Sequence, residues 1–198
     1  MLKKLYLSKI GGLSGILGPI IAFTSILLAI YYSPWFSWTE NWLSDLGVYE
    51  NSSAIFNTGL ILAGIFGTIF TIAIMQLSML KNILGRLGTT LLFIDMLALS
   101  AVGIFPEDTG SIHTSVSVLF FALIPLSLLL IGFALRKSSE KRLGLFVIYL
   151  GIISICLSSL FLVPRPMGSN AIAEIFPAIL IAIFSKVLGI KLLRSNLE

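Results

Sequence analysis

The stretch LGTTLLFIDMLALSAVGIF, residues 87 to 105, runs for 19 positions with a single ionisable side chain, Asp95. As an α-helix it would be about 28 Å long, close to the roughly 30 Å of hydrocarbon in a bilayer. Arg86 stands just before it and Pro106 just after, a charge and a helix breaker at the two ends. An aspartate at mid-span costs about 2.5–3.5 kcal/mol to insert, whereas each Leu, Ile, Phe or Val returns about 0.3–0.6. Ten such residues lie in the stretch, so the cost is offset and the segment reads as a membrane-crossing helix. Asp95 then falls near the bilayer midplane. It is either a proton or substrate contact, or a carboxyl that is protonated or hydrogen-bonded to a Ser, Thr or Asn of a neighbouring helix.

Five further apolar runs share that length. With the first they give spans at about 12–33, 54–79, 86–105, 112–135, 143–163 and 170–192. The chain is 57% hydrophobic with a mean hydropathy of +1.04, beyond the roughly 45–50% apolar content of soluble domains. The expected fold is all-α: a polytopic six-transmembrane-helix bundle forming a single membrane domain over residues 1–198, its loops too short for a soluble domain. The first run follows Lys3, Lys4 and Lys9 as a secretory signal would, yet it is too long and has no small-residue cleavage site, so it is expected to stay as the first helix. Cys156 is the lone cysteine, which excludes an intramolecular disulfide and a cysteine-based metal site. With His113 the lone histidine as well, no metal or cofactor is expected.

Alternating the loops places twelve of the thirteen basic residues on one side, leaving Arg165 alone on the other. That bias puts both termini in the cytoplasm of a multi-pass protein of the cell membrane. The cations read as orientation signals and contacts to anionic headgroups, not as a nucleic-acid surface. The expected partners are membrane lipids, with a membrane-protein partner or a second copy as a further possibility.

The opposite, outer side collects the unusual residues. Glu40, Asp45, Glu50, Glu107, Asp108, His113 and all three tryptophans, Trp35, Trp38 and Trp42, fall there. In WTENWLSDLG (38–47), Ser37 and Glu40 have capping-box spacing and Gly47 is a natural stop, so residues 38–46 are expected to form a short amphipathic helix on the membrane surface. Trp38, Trp42 and Asp45 would share one face within about 60°. Asp45 would therefore turn inward to a partner at the top of the bundle, or bond nearby backbone N–H groups. In the second outer loop Pro106 ends a helix, Gly110 turns, and Ser111 can cap the next helix, whose first turn holds His113. A polar cluster of Asp45, Asp108, His113 and Arg165 beneath the tryptophans follows, with Glu174 one turn inside the outer end of the sixth span. Gly59, Ala63 and Gly67 form a small-residue ridge for close helix packing, and Pro19, Pro125 and Pro177 kink or loosen spans one, four and six.

NWLSDLGVYENSSAIFNTGLI followed by GIFPEDTGSIHTSVSVLFF resembles the domain-of-unknown-function family 998, six-helix prokaryotic membrane proteins, along most of the chain. More distantly the pattern is similar to DRAM and FRAG-type membrane proteins, in which a Ser-Asp-x-Gly element precedes an acidic, aromatic stretch and the fourth helix begins near a histidine. By that resemblance the motif positions are Ser44, Asp45, Gly47, Asn57, Pro106, Asp108 and His113. Some distant relatives are linked to lipid remodelling of membrane anchors, which implies lipid handling without a defined reaction.

Three functions stand open. A lipid headgroup or small polar molecule would be held by Trp38, Trp42, Asp45, Asp108, His113, Arg165 and Glu174. An accessory or scaffold subunit would use the same residues only to tie loops together. An outer-leaflet lipid hydrolase or transferase would draw acid–base capacity from Asp45 and His113, a nucleophile from Ser44 or water, and a phosphate contact from Arg165.

Overall fold

The computed structural model describes residues 2–158 and 171–194. Every long described element is an α-helix: α1 Leu2–Tyr31, α2 Glu50–Ile74, α3 Ile83–Ile104, α4 Ser111–Arg136, α5 Lys141–Ser158 and α6 Ala171–Arg194. One-turn 3-10 helices occupy Ser44–Gly47, Ser78–Leu80 and Glu107–Thr109. Among the described residues, five of the long helices, all but α5, are long and apolar enough to cross a membrane. The outer part of the fifth expected span, 159–163, and Arg165 lie outside the described residues.

Each expected span coincides with a helix, and the ends differ for local reasons. Helix α1 starts at Leu2 rather than residue 12, because nothing in the lysine-bearing segment before the apolar run breaks a helix. Helix α2 stops at Ile74, before the expected 79. Asn82 caps α3 by accepting the Gly85 N–H at 3.0 Å. Helix α4 begins at Ser111 itself, preceded by Gly110 at φ 66°, so the glycine conformation opens the helix in place of the expected serine cap.

Successive helices pack side by side and α1 returns against α6, closing the bundle. Ser8 donates to the Leu192 carbonyl at 3.1 Å, which brings the start of α1 and the end of α6 to one end of the molecule. Lipid tails are as apolar as the helices, so helix association rests on close van der Waals contact, and small residues supply it. The Gly59–Ala63–Gly67 ridge serves two neighbours: Gly59 lies against Ser25 of α1, and Gly67 against Met96 of α3. Pro19, Pro125 and Pro177 all sit inside continuous helices. At the end shared by the start of α1 and the end of α6, Lys191 of α6 meets Glu140 before α5 at 2.7 Å, a part-exposed pair worth up to about 1 kcal/mol.

Buried apolar side chains fall into two clusters. The larger surrounds Ile74, Ile124, Leu128 and Leu188. The smaller, at the opposite end, packs Leu43 and Leu46 of the first loop against Phe56, Leu60, Val102 and Ala171. The loop therefore plugs the end of the bundle.

Candidate functional site at the acidic end of the bundle

The helix expected at 38–46 does not form. Residues 38–40 are turns and only Ser44–Gly47 completes a 3-10 turn. The cause is competition for the backbone by side chains. The Asn41 amide oxygen accepts the Ser37 N–H at 2.9 Å, its NH2 donates to Asp45 at 3.1 Å, and Asp45 Oδ2 accepts the Trp42 N–H at 3.0 Å. Tertiary bonds complete the diversion. The Asn41 carbonyl accepts the Ala171 N–H at 3.0 Å, and Glu174 Oε2 accepts the Leu43 N–H at 2.6 Å. Each of these groups would otherwise serve helical bonds. Asp45 is thus held by its own loop, while Leu43 and Leu46 are the residues that turn inward.

Asp45 also has an acidic partner. The Glu107 carboxyl faces Asp45 and Ser44, and its Oε2 is buried without a hydrogen-bond partner among the described residues. Burial first, then the nearby Asp45 carboxyl and its charge, raise the Glu107 pKa above 4.5, and the neighbouring Ser44 hydroxyl only partly offsets them. Because the folded pKa lies above the unfolded one, the stabilisation is fully present below about pH 4.5 and is lost as pH rises through the folded value. Thermal unfolding in detergent across about pH 4 to 8 should therefore show wild type losing stability relative to Glu107→Gln as pH rises. Parallel pH profiles for the two proteins would refute the assignment.

The Ser-Asp-Leu-Gly motif owes its glycine to a close approach. Asn57 of α2 donates to the Gly47 carbonyl at 2.8 Å, and a Cβ on Gly47 would lie 2.6 Å from Asn57 Oδ1. Gly47→Ala is expected to displace Asn57 and lower stability by about 1–3 kcal/mol, the cost of stranding part-buried polar groups. A melting temperature equal to wild type would refute this.

His113, 8% exposed, is fixed by two bonds. Its Nδ1 lies 2.8 Å from the Phe105 carbonyl, the first carbonyl beyond the end of α3, and its Nε2 lies 3.2 Å from Ser117 Oγ. A carbonyl only accepts, so Nδ1 carries the proton. In the neutral ring Nε2 then accepts the Ser117 hydroxyl proton.

These residues open onto a cavity of about 120 Å³ running down the middle of the bundle, room for a file of about ten waters. Ser44, His113, Ser117 and Glu174 line one end, and Ser14 and Ser185 the other. Between them the wall is apolar, with Phe70, Met96 and Phe120 among its residues. The residues come from α1, α2, α3, α4, α6 and the first loop, and α5 contributes none. Along α6, Glu174 and Ser185 are eleven positions apart (185 − 174), about 16 Å at 1.5 Å per residue.

The expected site residues divide accordingly. His113, Glu174 and Ser44 are brought together on the cavity wall. Asp45 stands beside Ser44 and faces Glu107. Trp38 and Asp108 are exposed and Trp42 is half-buried. Trp35 stacks on Tyr49 with ring centroids 4.0 Å apart, and Phe36 packs edge-on against Trp38. Arg165 lies outside the described residues. Asp95 is fully buried in the middle of α3, and neither carboxylate oxygen has a hydrogen-bond partner. Sequence reasoning did not reach Ser117 or the Glu107–Asp45 pairing. The His-x-x-x-Ser spacing, which puts two side chains on one helix face, was the available signal for the first.

Long apolar helices, a loop plugged into one end and a central apolar cavity with polar ends define a multi-pass helical membrane protein. The chain belongs to the DUF998 family, proteins of unknown function, whose family model matches residues 16–191, from the middle of α1 into the last turn of α6, and so includes every motif position. No curated protein and no solved structure matches it.

Proposed function

We propose that the protein binds a membrane lipid at the outer leaflet, with one alkyl chain in the central cavity and the headgroup at the end lined by Ser44, His113, Ser117 and Glu174. The supporting observation is the cavity itself: its length of about 16 Å is that of one leaflet, half of the roughly 30 Å hydrocarbon thickness. Moving a chain from lipid into an apolar channel is nearly neutral, since both surroundings are equally oily. Selectivity therefore falls to the polar end, where each hydrogen bond to a charged group is worth about 1.5–3 kcal/mol. A carboxylate accepts several hydrogen bonds at once, so Glu174 favours headgroups that carry hydroxyl or amine donors.

Lipid that copurifies with the protein in mild detergent, identified by mass spectrometry, tests the reading. Ala178→Trp, on the cavity wall of α6, should fill the channel and compete with the chain. A clash of about 1–3 kcal/mol between the indole and the chain translates into about 5- to 150-fold less bound lipid. Lipid retained at wild-type levels in Ala178→Trp would place it elsewhere, and a wild type that carries none would leave the scaffold role as the better account.

A further inference from the structure

The serine and threonine hydroxyls of these helices have a default. In an apolar surrounding they bond back to a carbonyl three or four residues earlier in their own helix. Thr68, Thr71, Thr89, Ser115 and Ser127 all do so, at 2.8–2.9 Å. Ser8, Ser52 and Ser100 instead reach carbonyls outside their own helix, at 2.8–3.3 Å, whereas the Ser117 hydroxyl is directed at a ring nitrogen, His113 Nε2, 3.2 Å away, on the wall of the cavity. The imidazole is in turn oriented by the Phe105 carbonyl at 2.8 Å, which holds the proton on Nδ1 and leaves Nε2 as the base. Nucleophile, base and orienting acceptor are in series, at the polar end of a chain-sized channel.

We propose that Ser117 and His113 are a nucleophile–base pair and that the protein cleaves or transfers the acyl group of single-chain acyl esters. This rests on the reading that the cavity holds a lipid chain. An acyl chain lying in the channel brings its ester carbonyl to the end where Ser117 stands, with the alcohol portion toward the first loop. Ser117 Oγ bonds to the carbonyl carbon while its proton passes to His113 Nε2. The ester C–O bond then breaks, and the departing alkoxide takes that proton and leaves as the alcohol. Water, or the hydroxyl of a second lipid, attacks the acyl-serine in the reverse sense, giving up its proton to Nε2, and the Ser117 oxygen recovers it. The orienting group is a neutral carbonyl rather than a carboxylate, so the imidazolium formed in each step is stabilised less than in a full triad. Asp45 and Ser44 stand apart from this chain of bonds: Asp45 is held by the Asn41 amide and the Trp42 N–H, and Ser44 lies beside Glu107.

A long-chain alkyl fluorophosphonate tests the pair in the full-length protein in detergent micelles. Attack by Oγ forms an O–P bond, fluoride leaves, and the hydroxyl proton passes through His113. Intact-mass spectrometry should show one adduct, mapped by peptide sequencing to Ser117. Ser117→Ala should show none, His113→Gln should slow labelling by about 100-fold or more, and Ser115→Ala, whose hydroxyl bonds back to its own helix off the cavity wall, should label as wild type does. No adduct on wild type, or an adduct that persists in Ser117→Ala, overturns the pair. Labelling that is indifferent to alkyl length and to Ala178→Trp overturns the substrate class. Copurified lipid measured on the same samples separates the two proposals. Lipid present without labelling refutes the pair alone, whereas labelling by short-chain reagents with no lipid bound refutes the chain in the channel.

Discussion

Asp95→Val should be more stable than wild type, by about 1–3 kcal/mol. The carboxyl is 0% exposed, it lies in the middle of α3, and neither oxygen has a partner. A buried polar group without a partner carries its full desolvation cost, about 1–3 kcal/mol and more if charged. An apolar residue of similar volume removes that cost without breaking any bond, and such replacements are neutral or stabilising. For a chain of this size the gain corresponds to about 2–4 °C per kcal/mol in melting temperature, read by thermal unfolding in detergent. Asp95→Asn, which leaves a polar group unpaired in the same place, should gain little. A valine variant that melts below wild type would show that the carboxyl has a stabilising partner. Reduced lipid binding in a variant that has gained stability would assign Asp95 to function, since proteins retain such costs mainly where activity uses them.

The second large effect runs the other way. Gly12→Val should lower stability by about 3 kcal/mol, the upper end of the overpacking range, because the new side chain meets backbone. A Cβ at Gly12 would lie 2.8 Å from the Gly189 carbonyl oxygen and 2.8 Å from Leu193 Cγ. A side chain can rotate away from such a contact, but a helix carbonyl cannot, so α1 and α6 must separate. These two helices also supply Gly15, Gly18, Ala178 and Ala182 to the cavity wall. The wedge should therefore reduce bound lipid as well as melting temperature. A normal melting temperature for Gly12→Val would mean that the α1–α6 contact is looser than described.

The helices were legible because a span advertises itself. About 20 apolar residues between charges or breakers have few other uses, and each such run here falls on a helix. The first loop misled for an equally physical reason. Ser37 and Glu40 do have capping-box spacing, but Asn41 and Asp45 carry side chains able to bond the same backbone groups, and Ala171 and Glu174, some 130 residues further on, claim what remains. Local pattern cannot register such a distant competitor. In the same way the sequence drew attention to His113 as the sole histidine and to Glu174 as an acid inside a span. Ser117 is one hydroxyl among many on apolar helices, and only its direction distinguishes it. Direction is a property of packed neighbours, which a linear pattern does not carry.

Two bonds among the described residues join the first loop to α6, from Ala171 N–H to Asn41 and from Leu43 N–H to Glu174, two residues apart on one partner and three on the other. They act as a double stitch between the rim of the cavity and the tip of a helix. Leu43 and Ser44 cannot be lifted alone: either both stitches are undone or the tip of α6 travels with them. A molecule too large for the rim would have to arrive sideways, between helices and from within the bilayer, where its hydrocarbon already resides.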